Sequence, residues 1–302
     1  MAEHGAGAGP RVLSGTSRLA GIIGWPVSHS RSPRLHGFWL DRYGIDGAYV
    51  PLPVRPENLV IAVRSLRDLG FRGGNVTIPH KEAVVAACDR LEESARCAGA
   101  VNTLVFEADG AIVGLNSDGA GFIAGLAQTV PDFAPAEGPA VLFGAGGGAR
   151  AVAAALLKAG CPEVVVVNRT PGRAEALAAA LGPRVTTGSW GDPGPLGRAA
   201  LVVNTTSLGM LGQPPLALPL EALPPQAVVA DLVYVPRTTA LIAAARARGH
   251  RTMGGLPMLL HQASVGFALW FGVTPVVDEA LADFVAGDIP DEAPSEHRAP
   301  CG

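Results

Sequence analysis

The chain has 302 residues, 48% hydrophobic and 16% charged, with a formal net charge of −3; this is ample for a large core, and on length for two domains rather than one. That charge balance offers no electrostatic footprint for nucleic acid or an anionic lipid surface, the opening MAEHGAGAGPR has no apolar signal-like core, and no run approaches the ~18 apolar residues of a membrane span. Four cysteines, Cys88, Cys97, Cys161 and Cys301, show no CxxC spacing, which suits reduced thiols in a soluble cytoplasmic protein better than a disulfide framework or a metal site.

Residues 1–17 and 287–302 are rich in Gly, Ala, Pro and charge and read as flexible tails. Between them strands and helices alternate, which predicts parallel α/β sheets. LAGIIG reads as a strand, SPRLHGFWLDRYG as a helix opened by Pro33, and GAYVPLPV as a strand. PENLVIAVRSLRDLG is a helix between Pro56 and Gly70, GGNVTIP a short strand and HKEAVVAAC a helix. AVNTLVFEADGAIVGLN predicts a hairpin, with Asp109-Gly110 suited to a tight primed turn. The proline-bearing AQTVPDFAPAEGP marks a boundary. Beyond it lie AVLFGAGGGARAVAAALLKAG, a strand, glycine turn and helix, and the buried strand EVVVV. ALVVNTTS and AVVADLVYV read as strands, and TTALIAAARARG and MLLHQASVGFALWFG as helices. The expected division is a substrate-binding domain at 18–120, a dinucleotide-binding domain at 121–257, and helices at 258–286 that return to the first.

Gly144-Ala145-Gly146-Gly147-Gly148-Ala149 is a G-x-G-x-x-A variant between a strand and a helix. Glycines there permit a tight turn and let backbone approach a pyrophosphate, while the helix start aims N–H groups and the positive dipole end at it. The next strand of a dinucleotide fold commonly ends in Asp or Glu, which holds the ribose 2′-hydroxyl. Here it ends in Asn168-Arg169-Thr170, with Arg173 shortly after. An acid would repel a 2′-phosphate, whereas a guanidinium matches it, so the cofactor expected is NADP rather than NAD.

Ser28, Ser30 and Ser32 precede the Pro33 helix, where hydroxyls serve as caps or bind a carboxylate. GNVTIPHK places Thr77 after a strand and Lys81 at an expected helix start, where the dipole disfavours a cation and an anionic partner would compensate. GAVNT supplies Asn102 and LNSDG supplies Asp118, both residue types that also serve turns and caps. His29, His36, His80 and His261 have no ligand-like spacing and are expected to be structural, with His80 at a helix cap or the surface.

SHSRSP, GNVTIPHK, GAVNT, NSDG, GAGGGAR, NRT, NTTSLGM, DLVYVP and GLPMLLHQA stand in the order seen in shikimate dehydrogenases, which the chain resembles from about residue 19 to 285. The resemblance implies NADPH-dependent reduction of 3-dehydroshikimate to shikimate on the route to chorismate and aromatic amino acids, by a monomer or homodimer. It implies a substrate-binding α/β domain joined to a Rossmann domain, with C-terminal helices packing back on the first. It makes Lys81 and Asp118 the catalytic pair. Ser30, Ser32, Thr77, Asn102, Asp118 and Gln262 would hold the substrate, with Tyr234 near its carboxylate. Gly144 to Gly148 and Asn168 to Arg173 match the cofactor segments, and Leu232 and Gly255 positions flanking the nicotinamide. Two residues depart from the family: Ser117 stands where Thr is common, keeping the hydroxyl, and Pro257 where Gly is common. A quinate/shikimate dehydrogenase preferring NAD is disfavoured by Arg169 and Ser32. A ligand sensor without chemistry is disfavoured by the intact Lys81 and Asp118.

Overall fold

Apolar runs and glycine stops become alternating strands and helices in the computed structural model, which describes residues 12–292. They form two units. The first holds the described chain to Ala95, Ala100–Leu115 and Ala263–Val285; the second holds Arg96–Gly99, Asn116–Gln262 and the described residues from Ala286 on.

The first unit opens with β1 (Arg18–Gly24), α1 (Ser32–Arg42), β2 (Gly47–Pro53), α2 (Leu59–Asp68) and β3 (Phe71–Val76). There follow β4 (Arg90–Leu91), α3 (Glu93–Ala98), whose last residues belong to the second unit, then β5 (Thr103–Phe106) and β6 (Ile112–Leu115). The sheet order is β2-β1-β3-β5-β6-β4, with β1 parallel to both β2 and β3, and β5 antiparallel to β3. α2 buries Leu59, Val63 and Leu66, one apolar stripe at helical spacing. Much later in the chain, Phe267 and Trp270 bring the C-terminal segment back into this unit. The Trp270 indole donates to the Leu104 carbonyl at 2.9 Å, and Phe267 packs 5.1 Å from Trp39. A Cβ on Gly73 would fall 2.4 Å from that indole nitrogen, so glycine is needed there.

The second unit contains α4 (Asp118–Thr129), β7 (Ala140–Phe143), α5 (Gly147–Lys158), β8 (Val164–Val167), α6 (Pro171–Leu181) and β9 (Val185–Gly188). It continues with β10 (Leu201–Asn204), β11 (Val228–Asp231), α7 (Ala240–Ala247), β12 (Arg251–Met253) and the first part of α8 (Gly255–Phe271); α9 (Glu279–Ala286) comes after α8. The order β12-β11-β10-β7-β8-β9 is parallel throughout. Its central strands are buried on both faces, which is why they read as unbroken valine and leucine runs.

Several local expectations differ from the structure. HKEAVVAAC forms only a short 3₁₀ segment at Ala83–Ala87, consistent with its paired β-branched valines and lack of a side-chain cap. The hairpin turn is not primed: only Gly110 has positive φ, at 87°, and the Gly110 N–H donates to Glu107. A three-residue loop closed by a left-handed glycine results. AVVADLVYV stays extended only to Asp231, after which a loop with a cis Val235-Pro236 bond begins. The expected tails are shorter where described. The Ser14 and Ser17 hydroxyls donate to the Asp46 carboxylate, and the Arg237 and Thr238 N–H groups donate to Pro290 and Asp291 carbonyls at 3.0 and 2.8 Å. The rest of both tails lies outside the described residues.

Candidate active site

In each sheet the chain leaves one central strand toward one edge and resumes on that strand's other side. The loops at the carboxyl ends of β1 and β3, and of β7 and β10, therefore diverge and open a crevice. The sequence-predicted residues of each unit gather at these ends.

In the second unit β7 runs into Gly144, with φ 115° and a position where a Cβ would lie 2.4 Å from Thr205 Oγ1. The Thr205 N–H and hydroxyl both donate to the Phe143 carbonyl, at 2.8 and 2.7 Å, and lock the end of β10 against this turn. Gly146 caps α5 with extended backbone, and its carbonyl accepts the first helical bond, from Arg150 at 3.0 Å. Ala149 is fully buried where the helix meets the sheet. A Cβ on Gly146 would meet no protein atom within 4 Å, and one on Gly148 only Leu232 at 3.8 Å. The fold does not require glycine at these two positions, so their missing side chains leave a shallow cradle over the α5 N-terminus that fits a pyrophosphate.

β8 delivers Asn168, Arg169 and Thr170 beside this cradle. Asn168 Nδ2 donates to the Thr170 carbonyl at 2.8 Å, which pins the turn into α6. Arg169 and Arg173 are exposed and form no ion pair among the described residues. Leu232 and Gly255 are brought into direct contact, since a Cβ on Gly255 would fall 2.3 Å from the Leu232 carbonyl oxygen. Pro257 is the third residue of α8, where no helical N–H bond is lost, and it packs on Gly125 of α4.

A network the sequence reading missed braces this end of the sheet. Buried Asp231 accepts from Asn204 Nδ2 and the Val233 N–H at 2.9 Å each, and from the Thr239 hydroxyl at 2.7 Å. Asn204 Oδ1 accepts from the Thr206 N–H and hydroxyl. The loop after β10 and the loop bearing Leu232 and Tyr234 are thereby held together. Burial, only partly opposed by these donors, raises the Asp231 carboxyl to about 6. The polar-after-strand pattern NTTS and D-LVYV was the available signal.

In the same unit α4 and α8 assemble Ser117, Asp118 and Gln262. Asp118 is the first helical residue, 6% exposed, and its N–H donates to Asn116 Oδ1 at 3.0 Å. Its carboxylate stands at the positive end of the helix dipole. A Cβ on Gly121 would fall 2.5 Å from that of Gln262, so α8 approaches α4 on a glycine, and the Ser117 hydroxyl lies 3.4 Å from Gln262 Oε1.

The first unit carries its own group of sequence-predicted residues, Ser30, Ser32, Thr77, Lys81 and Asn102. The N-cap of α1 is Arg31, not a serine; Ser30 Oγ accepts from the Ser32 N–H at 3.3 Å. Thr77 bonds the Ile23 carbonyl through its N–H at 2.9 Å, and its methyl occupies the space a Cβ on Gly24 would need. Asn102 reaches this end because β5 runs antiparallel to β3; its carbonyl accepts from the Val76 N–H at 2.8 Å. Lys81 follows the cis Ile78-Pro79 bond, and its carbonyl accepts from Val101. Only a 3₁₀ segment follows it, so the expected conflict with a helix dipole does not arise. His80, expected at a cap or the surface, is 1% exposed, with Nε2 2.7 Å from the Val54 carbonyl.

Residues 22–104 match the model of the shikimate dehydrogenase substrate-binding domain, and residues 126–188 that of shikimate/quinate 5-dehydrogenase. The chain is 57% identical over 281 residues to the shikimate dehydrogenase (NADP(+)) of Rhodospirillum rubrum, covering 91% of this chain and 99% of that one. Among solved structures, a shikimate dehydrogenase in complex with NADP+ superposes with a TM-score of 0.85 at 33% identity, over 92% of this chain and 98% of the other. The Thermus thermophilus shikimate 5-dehydrogenase, in complex with NADP(H) and shikimate, gives 0.79 at 37% identity, over 89% and 98%.

Proposed function

The chain belongs to the shikimate dehydrogenase family, and from that premise we propose how its residues serve the reaction. It is an NADP-dependent oxidoreductase that interconverts 3-dehydroshikimate and shikimate. NADPH, when bound, supplies the hydride that reduces the ketone.

The Lys81 ammonium offsets the negative charge that grows on the ketone oxygen and then gives that oxygen a proton. Asp118 accepts from a substrate hydroxyl. Ser30 and Ser32 face the carboxylate together with Tyr234. Thr77, Asn102 and Gln262 bond the ring hydroxyls. Gly144, Ala145, Gly146, Gly147 and Gly148 cradle the pyrophosphate; Asn168, Arg169, Thr170 and Arg173 take the 2′-phosphate, and Leu232 and Gly255 flank the nicotinamide. We place the enzyme in the cytoplasm, as a monomer or homodimer; its half-buried Cys88 thiol, pushed up to about 11 chiefly by burial, is inert there.

The observation that carries the cofactor assignment is the end of β8, where Arg169 and Arg173 stand exposed beside a glycine cradle and no acid is present. Initial rates with shikimate and quinate, each with NADP and with NAD, test the reading. The largest kcat/KM is expected for shikimate with NADP. Faster turnover of quinate with NAD would instead establish the activity of a quinate dehydrogenase.

A further inference from the structure

Four polar side chains of the first unit lie together with almost no access to water. Tyr49 on β2 is 7% exposed, Asn75 4%, Asn102 1% and Thr103 0%. Groups this dry must satisfy one another. The Tyr49 hydroxyl lies 2.7 Å from Asn75 Oδ1, and Asn75 Nδ2 lies 3.2 Å from both the Asn102 carbonyl and Thr103 Oγ1. Thr103 Oγ1 is 2.9 Å from Asn102 Oδ1.

The direction of each bond follows from valence. A backbone carbonyl only accepts, so the part of the Asn75 amide facing the Asn102 carbonyl is its NH₂. Asn75 Oδ1 then faces Tyr49, which donates its single hydrogen there. At the other end Thr103 Oγ1 accepts from Asn75 and spends its own hydrogen on Asn102 Oδ1. The Asn102 oxygen is turned toward Thr103, and its amide hydrogens point the other way.

Tyr49 is itself held rigidly. The His36 ring stacks on it with centroids 3.9 Å apart and planes 9° from parallel, and Trp39 and Trp270 close around His36 at 5.7 Å each. His36 is fully buried, and neither ring nitrogen has a hydrogen-bond partner among the described residues. Burial brings its pKa down to about 3, with nearby Asn75 opposing the shift only in part. A neutral, apolar clamp therefore fixes the phenol ring without competing for its hydroxyl.

We propose that Tyr49 is a positioning residue for the substrate: by donating to Asn75 Oδ1 it holds the Asn75 amide in the orientation that the Asn102 carbonyl and Thr103 require, and so keeps Asn102 offering hydrogens rather than an oxygen to a ring hydroxyl. The inference rests on the reading of Asn102 as a substrate contact. It also assigns a specificity device, because a substrate whose group at that place can only donate meets the wrong end of the amide.

Tyr49→Phe keeps the ring and its stack and removes only the hydroxyl. Its Kd and KM for shikimate should rise about tenfold, the scale expected when a buried acceptor is left unpaired, with kcat and the KM for NADP unchanged. Thr103→Val breaks the same chain at its far end and should give the same shikimate-specific loss, which keeps the test decisive should Tyr49→Phe fold poorly. In an Asn102→Ala background the effect of Tyr49→Phe should largely vanish. If Asn102→Ala binds shikimate normally, the substrate-site reading falls and this inference with it. If that variant weakens binding while Tyr49→Phe and Thr103→Val do not, the inference alone is overturned.

Discussion

Replacing Arg169 with alanine should separate the two nicotinamide dinucleotides. The side chain follows β8, is exposed and has no ion-pair partner among the described residues. Truncation therefore leaves no buried group unsatisfied, and stability should change by no more than about 0.5 kcal/mol. What should disappear is the proposed charge-assisted contact to the 2′-phosphate, worth about 1.5–3 kcal/mol. In KM for NADP that is about 10- to 150-fold. Arg173, within the first turn of α6, keeps part of the field, so the single variant belongs in the lower part of that range and Arg169→Ala with Arg173→Ala in the upper part. The KM for NAD, which carries no phosphate there, should stay where it is. Initial rates at saturating shikimate with each cofactor give the comparison. Because both charges face solvent, added salt should shrink the wild-type preference for NADP. Equal weakening toward both cofactors, or toward neither, refutes the assignment.

Lys81→Ala should lose about 10²–10⁴-fold in kcat while shikimate still binds, and adding Asp118→Asn should cost much less than the product of the two single effects; near-normal turnover of Lys81→Ala would exclude its proposed role. Gly144→Ala and Gly146→Ala should part company. The first forces a side chain into positive φ and against Thr205, lowering stability by about 1–3 kcal/mol; the second meets open space and should weaken NADP binding, read by titration calorimetry, with Tm intact. Asp231, raised from 3.8 to about 6 mainly by burial, binds its proton more tightly when folded. Its contribution is fully present below pH ~4 and is lost as pH rises through 6, by about 3 kcal/mol. The stability of the wild type relative to Asp231→Asn should fall across that window in denaturant titrations, and a flat difference would show that the carboxyl is not perturbed.

What could be read from the sequence was local. EVVVV and AVLFG are unbroken apolar runs because their strands are covered on both faces, and Pro and Gly mark their ends. The glycine loop and Arg169 lie within one strand–turn–helix unit each, so their chemistry follows from adjacent residues. The misreadings came where tertiary contacts decide. α4 was missed because Gly119, Gly121 and Gly125 look like loop residues, yet each is where another element presses close: Ala151 on the first, Gln262 on the second, Pro257 and Met258 on the third. HKEAVVAAC failed in the other sense, its apolar pattern suggesting a helix that only a 3₁₀ turn satisfies.

The polar residues divide along the same line. Arg169 stands out in sequence because its proposed role is outward, from a strand end, on a group the protein does not contain. Tyr49, Asn75 and Thr103, or Asp231, Asn204 and Thr239, act inward on one another, and each triplet spans elements far apart in the chain. No spacing rule links them, since their proximity exists only once β2, β1, β3 and β5, or β10 and β11, are side by side. Buried donors and acceptors of this kind can be identified only when the sheet order is known, and valence then leaves little freedom in how they pair. For that reason the residues proposed to orient the substrate contacts emerge from topology, whereas the proposed contacts themselves stand in short sequence motifs.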